Sequence, residues 1–243
     1  MLRSWITSLR RRPPTFSAVA PETPFYLIGD IHGRSDLLET ALSQLDSEYP
    51  IFFVGDYIDR GEDSAGVLQM LVDRDNCFCI RGNHEEMLLA FLEDPITNGP
   101  RWLRYGGLQT LASYGISSVT ETSNGLELEA IRDNLRQKMG AEQVFWLRTL
   151  PYCHRNGNVA VVHAGADPRV SLEDQFRDTL VWGHPGFGKE LRQDGLWIAH
   201  GHTIVDAPGA ENGVISVDIG AYATGRLCIA HIAEGEVGFR VVR

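Results

Sequence analysis

The chain has 243 residues, 43% of them hydrophobic and 22% charged. That balance excludes a disordered, collagen-like or disulfide-stapled protein and allows one sizeable core. Its 32 Asp plus Glu against 22 Lys plus Arg leave a formal charge of −10, which repels phosphate backbones, so nucleic acid is not expected as the principal partner. No apolar run approaches the roughly eighteen residues of a membrane span, and the first nine residues lack the apolar core of a secretory signal. Cys77, Cys79, Cys153 and Cys228 are scattered through apolar stretches and read as small buried hydrophobes of a reducing compartment. A cytoplasmic location is expected.

Residues 1–24 carry Trp5, Ile6 and Leu9, then Arg10, Arg11 and Arg12, then Pro13, Pro14, Pro21 and Pro24. They are expected to form a basic tail outside a single domain at 25–243, as a frayed terminus or a contact with the chain's own acidic surface. From residue 25 one pattern recurs: a short apolar run that reads as a buried strand, then an abrupt polar turn. The runs are 25–28, 51–54, 77–80, 159–162 and 196–199, and each leads into a side chain able to bind metal. Helical patterns at 35–45 and 64–73 separate the first three, which predicts an α/β order β-α-β-α-β with parallel strands. The carboxyl ends of such strands share an edge, where open α/β sheets bind ligands.

Helical patterns continue at 85–92, 100–114 and 126–139, with turns at Asp94-Pro95 and Ser123-Asn124-Gly125. The stretch 94–150 is expected as a cap beside the site. Strand character returns at 213–217, 226–233 and 236–242, the last two split by Glu234-Gly235 as a hairpin.

The chemistry lies in the polar turns. Asp30 and His32, two apart after a strand, project to the same side and suit one metal ion. Asp56, Asp59 and Arg60 crowd two carboxylates and a guanidinium into one turn, a costly cluster unless a cation and an anion occupy it, and Asp56 is placed to bridge two metals. Asn83 and His84 supply a neutral oxygen and an imidazole where a strand passes into a helix, although His84 alone reads as readily as a helix cap. His163 and His202 complete a set of nitrogen and oxygen donors spread over five strand ends. Such donors suit manganese, iron or zinc better than calcium.

With these residues in view, the sequence resembles the calcineurin-like metallophosphoesterases, and more narrowly the bacterial members of the phosphoprotein phosphatase family. Their motifs GDxHG, GDxxDRG, GNHE, HAG and GHT stand here in order at 29–33, 55–61, 82–85, 163–165 and 201–203, and the likeness spans roughly nine-tenths of the chain. The resemblance implies two mixed β-sheets packed as a sandwich and flanked by helices. It implies a dinuclear site, with manganese the expected ion: Asp30 and His32 on the first metal, Asp56 bridging, and Asn83, His163 and His202 on the second. It also implies His84 as the acid that protonates the leaving group, Asp59 orienting it, and Arg60 gripping the phosphate.

Two positions depart from the bacterial pattern. Trp182-Gly183-His184 stands where relatives read tryptophan, one residue, then arginine. A second phosphate-holding arginine is then missing or supplied by Arg169, Arg177 or Arg192, with His184 at the pocket edge. Ile219 replaces a common threonine and is read as packing. Of the remaining candidates, His200 is read as a backbone-bonded structural residue, His154 and His231 as surface or satisfied core residues, and the pair Cys77 and Cys79 as lacking a metal set. Trp102 and Tyr105 are read as core, and Glu127, Glu129, Arg132 and Asp133 as a solvated helix face.

The expected activity is metal-dependent hydrolysis of phosphomonoesters, as a serine/threonine protein phosphatase acting on phosphoproteins or phosphopeptides. The alternative is a symmetrical dinucleoside tetraphosphate (Ap4A) hydrolase, with the same metal motifs; Gly201-His202-Thr203 points to the phosphatase. A silent phosphoprotein-binding module is a third reading, opposed by the intact ligand set.

Overall fold

The computed structural model describes residues 16–46, 48–72 and 74–243. The first three strands are β1 (Phe25–Ile28), β2 (Ile51–Phe53) and β3 (Cys77–Cys79), separated by helices α1 (Ser35–Ser43) and α2 (Ser64–Leu71). They pair in parallel, Leu27 opposite Phe52 and Phe52 opposite Phe78. The runs are apolar rather than alternating because β1 and β2 are covered on both faces. Leu37, Leu38 and Ala41 form the buried stripe of α1. Asp63 caps α2 by accepting from the backbone N–H of Gly66 at 2.9 Å.

The helical region holds α3 (Asn83–Glu93), α4 (Pro95–Trp102), a π-helical turn (Leu103–Gly107), α5 (Leu108–Ser113) and α6 (Leu126–Thr149). Asp94 caps α4 and Pro95 occupies its first turn, where proline's missing donor does no harm. Phe91, Trp102, Leu111, Leu128 and Leu135 share one cluster with Leu38 and Leu68, so residues 94–150 pack into the same core as α1 and α2. The helix expected at 100–114 is interrupted at Gly106, with φ at 114°. The cause is a close approach: a Cβ at Gly106 would lie 2.6 Å from the Arg60 nitrogen, which donates to the Gly106 carbonyl at 3.3 Å. The helix expected at 126–139 continues to Thr149 through a kink at Gly140.

The second sheet contains β4 (Cys153–Asn156), β5 (Val159–Val162), β6 (Trp197–His200), β7 (Gly209–Glu211) and β8 (Val214–Ser216), with α7 (Arg177–Trp182) between β5 and β6. Its order is β4-β5-β6-β8-β7. After the short helix α8 (Ala221–Thr224), the chain forms the expected hairpin of β9 (Leu227–Ala233) and β10 (Glu236–Val242). This hairpin joins the first sheet beside β1, Leu27 opposite Ala230, giving the order β10-β9-β1-β2-β3. Both sheets are mixed. Phe25, Leu27, Val54 and Ile80 from the first meet Val159, Val161, Ala199 and Ile215 from the second in a shared apolar layer. Ile219 is buried in that layer.

Residues 1–15, including the arginine run, lie outside the described residues. Residues 16–24 lie along the second sheet. The Trp197 indole donates to the Ser17 carbonyl at 2.8 Å and meets the Phe16 ring edge-on at 5.3 Å. The Asn158 side chain accepts from the Ala20 N–H, and Val19 is buried. All four cysteines are free thiols. Among the described residues no helix is long and apolar enough to cross a membrane.

Candidate active site

Because β1, β2 and β3 run in parallel, the turns bearing Asp30, Asp56 and Asn83 leave the first sheet on one edge. The turns bearing His163 and His202 follow β5 and β6, which are likewise parallel. His32, Asp56, Asp59, Arg60 and His202 have φ of 47°, 53°, 71°, 69° and 63°. This left-handed region costs a side-chain-bearing residue roughly 1–3 kcal/mol. The turns are sharp enough to aim both sets of side chains at one place. Gly201 has no room for a side chain, since a Cβ there would overlap the Asp30 carboxylate.

Asp56 is the centre of the arrangement. Its Oδ2 lies 3.5 Å from His32 Nε2 and 3.9 Å from His84 Nε2, while its Oδ1 lies 3.3 Å from His163 Nε2. The Asn83 Oδ1 is 2.8 Å from both His163 Nε2 and His202 Nδ1. Two groups of potential metal donors result, His32 with Asp56 and His84, and Asp56 with His163 and His202, the atoms of each group lying within 4.8 Å of one another. Asp56 belongs to both. On the far side of their rings, His32 Nδ1 is 2.8 Å from the Ile58 carbonyl and His163 Nδ1 is 2.7 Å from the Val54 carbonyl. A carbonyl only accepts, so each Nδ1 carries a proton, and in its neutral form each ring would turn a lone pair at Nε2 towards the cluster.

Asp30 stands beside these groups. Its Oδ2 accepts from the His202 backbone N–H at 2.9 Å, and its buried Oδ1 has no hydrogen-bond partner in the protein. The same holds for His84 Nε2. Orphaned buried polar atoms of this kind need an explanation: the unpartnered carboxylate oxygen of Asp30 fits a cation, and the unpartnered Nε2 of His84 is left to face a substrate. The donor set therefore suits a dinuclear metal site.

Behind the cluster, His84 Nδ1 lies 2.7 Å from Asp59 Oδ2. Asp59 is fully buried and accepts from the Thr110 hydroxyl at 2.6 Å and from the Trp102 indole at 3.0 and 3.1 Å. Glu85 accepts from the backbone N–H groups of Asp56, Tyr57 and Gly82 at 2.8–2.9 Å, fixing the Asp56 turn against the start of α3. The Arg60 guanidinium lies 4.8 Å from the centre of the Tyr222 ring, and that ring meets His32 edge-on at 5.2 Å.

Charge in this space is tightly matched. Burial opposes ionisation of Asp56, but His163, His84 and His32 hold it well below the usual carboxylate range. Burial, with the Asp218 charge adding to it, pushes Asp30 well above that range. Burial lowers His32 to about 3 and His202 to about 4. His163 goes the other way: burial would lower it, but Asp56 outweighs that and raises it to about 10. Burial raises Glu85 to about 7.

Of the residues expected from the sequence, His32, Asp56, His84, His163 and His202 fall into the two donor groups, Asn83 contacts His163 and His202, Asp59 holds His84 and Asp30 accepts from the His202 N–H, while of these only His202 lines the neighbouring cleft. Trp102, Thr110, Glu85 and Tyr222 were missed. Trp102 is core, as expected, but its N–H also holds Asp59; the available signal was that a buried indole needs an acceptor. Tyr105 is corrected: it is 52% exposed, because the π-helical turn rotates it away from the stripe that carries Trp102. Of the candidate second arginines, Arg192 donates to the Asp167 and Val170 carbonyls, Arg169 pairs with Glu190, and Arg177 lies 3.3 Å from Glu86. His184 lies 3.5 Å from Asp167 and lines a cleft of about 1290 Å³ that also touches His202 and Thr203. His200 bonds the Gly201 carbonyl and Ser216, as a structural residue would.

Residues 23–212 match the calcineurin-like phosphoesterases, and the chain belongs to that family. It is therefore a metallophosphoesterase, a hydrolase of phosphoester bonds, and its His and Asp cluster is compatible with a dinuclear metal site. It is 28% identical over 239 residues to an asymmetrical bis(5'-nucleosyl)-tetraphosphatase of Oceanobacillus iheyensis, covering 86% of this chain and 89% of that one. To serine/threonine-protein phosphatase 2 of Escherichia coli it is 41% identical over 86 residues, 34% of this chain and 38% of the other. The fold matches a Saccharomyces cerevisiae serine/threonine phosphatase with a TM-score of 0.61 at 17% identity, over 92% of this chain and 80% of that one.

Proposed function

We propose that the protein is a dimetal phosphohydrolase whose substrate is a dinucleoside tetraphosphate. The observation that carries this reading is the cleft of about 1290 Å³ that runs on from His202 and Thr203, since such a space takes a nucleotide and far exceeds what a phosphorylated side chain needs. The likeness to the Oceanobacillus tetraphosphatase along nearly the whole of both chains supports it.

Asp30 and His32 would hold one divalent cation, Asn83, His163 and His202 the other, and Asp56 would be shared by both. When bound, such ions, manganese by preference and iron or zinc by the same donors, would activate a water and offset phosphoryl charge. Arg60 grips the phosphoryl oxygens, aligned by Tyr222, and its charge-assisted bonds strengthen as charge accumulates there. His84 delivers a proton from Nε2 to the leaving oxygen. Asp59 holds His84 Nδ1, fixing the ring and stabilising its charged form, and Trp102 and Thr110 hold Asp59.

A serine/threonine phosphatase is the second reading. It is favoured by Gly201-His202-Thr203 and by the local identity to the Escherichia coli phosphatase. Turnover of diadenosine tetraphosphate and of a phosphoserine peptide, measured side by side in Mn2+, separates the two. Faster cleavage of the dinucleotide is expected; cleavage of the peptide alone would reinstate the phosphatase.

A further inference from the structure

Trp182 is the last residue of α7 and leaves 39% of its surface exposed. It lines the same cleft as His202 and Thr203. Its position is fixed from three directions. The Leu180 carbonyl, two residues earlier, accepts from the backbone N–H of Ala164 at 2.8 Å, tying α7 to the residue after His163. Gly183, with φ at 92°, ends the helix immediately after Trp182. The Arg101 guanidinium from α4 lies 4.7 Å from the centre of the indole ring, and Arg101 does not line the cleft, whereas Trp182 does.

The same cleft contains Ala164, His202, Thr203 and Phe187. Phe187 is itself seated, edge-on to His200 at 4.9 Å and packed where Gly165 has no side chain. One cleft therefore reaches the donor His202 and has Trp182 in its wall, with the Arg101 guanidinium against the indole.

We infer that Trp182 is a stacking platform for the nucleobase of the substrate, backed by Arg101, an inference that rests on the dinucleoside reading above. The nucleobase would lie on the indole while its phosphates extend towards His202. Stacking is indifferent to base identity, because every base offers a π-face. Trp182 stands just before the point where His184 replaces the arginine of the bacterial pattern, so affinity lost at the phosphate would be regained at the base.

The test compares AMP with ribose 5-phosphate as inhibitors of p-nitrophenyl phosphate hydrolysis by the Mn2+-loaded enzyme, since the two differ only by the base. AMP should bind about tenfold more tightly in the wild type, this ratio should collapse towards one in Trp182→Ala, and Trp182→Phe should keep most of it. Arg101→Met, which leaves the indole in place, should lower the ratio partway. A wild-type ratio near one, or an undiminished ratio in Trp182→Ala, overturns the platform. If the ratio behaves as expected but diadenosine tetraphosphate is not cleaved, the platform stands and the substrate reading falls.

Discussion

His84 Nδ1 and Asp59 Oδ2 are 2.7 Å apart, and both side chains are buried. Burial alone would lower the His84 pKa, but Asp56 and Asp59 outweigh it and raise it, which keeps a proton available on the ring. If His84 delivers that proton to a leaving oxygen, its value depends on how basic that oxygen is. A serine alkoxide needs the proton far more than a nucleotide phosphate does. His84→Asn should therefore lower phosphopeptide turnover by about 10²–10⁴ and dinucleoside tetraphosphate turnover by less, with metal content unchanged. Because His84 also lies in one of the donor groups, parallel loss of bound metal would reassign it as a ligand.

Asp56 is shared by the two donor groups, so a single change there reaches both. Asp56→Asn should abolish turnover and reduce bound metal to one ion or none, read by elemental analysis of Mn2+-loaded protein. Full occupancy of two sites in the variant would show that Asp56 does not bridge them.

The candidate donors could be picked out in the sequence because each follows a short apolar run, although β3 before Asn83 is only partly buried, and parallel pairing brings such strand ends to one edge. The hairpin closing β9 and β10 was legible for the same local reason. What holds the donors was not. Trp102 and Thr110 reach Asp59 across 43 and 51 residues, and Tyr222 reaches Arg60 from the far end of the chain, so no spacing rule connects them. The interrupted helix at Gly106 depends on contact with Arg60, again a tertiary fact. Residues 16–24 look like linker by composition, and their backbone partners, which include the Asn156, Asn158 and Trp197 side chains and the Asn158 and Gly235 N–H groups, come from distant parts of the chain.

Trp102 should show this dependence directly. Trp102→Phe keeps the ring but removes the N–H given to Asp59, leaving a buried carboxylate short of a donor. Such a loss costs roughly 1–3 kcal/mol, measurable as a shift in the urea midpoint. Turnover should fall with it, because Asp59 is then free to rotate away from His84. A variant as stable and active as wild type would show that Thr110 alone suffices.

Tyr222 should affect substrate binding without touching metal. Its ring lies beside the Arg60 guanidinium at 4.8 Å, an interaction worth about 0.5–2 kcal/mol, and Arg60 itself sits at a strained φ of 69°. Tyr222→Ala should raise KM several-fold, Tyr222→Phe should keep near wild-type KM, and Arg60→Ala should raise KM and lower kcat. Equal KM in all three variants and wild type would remove Arg60 from contact with the phosphate.

The protonation of His163 sets opposite pH trends for the metal-free and metal-loaded protein. Its folded pKa is raised from 6.5 to about 10, so the stability it adds is fully present below pH 6.5 and is lost as pH rises towards 10. The metal-free protein should therefore melt at lower temperature as pH climbs through that window. Metal binding needs the neutral ring and releases this proton, so Mn2+ affinity should rise by up to about tenfold per pH unit over the same range. His32 and His202, lowered to about 3 and 4, are already neutral there and contribute no proton. Calorimetric titration with Mn2+ in buffers of differing ionisation enthalpy counts the released protons. An affinity flat between pH 6.5 and 8, with no proton released, would mean that His163 does not carry a proton beside Asp56 before the metal enters.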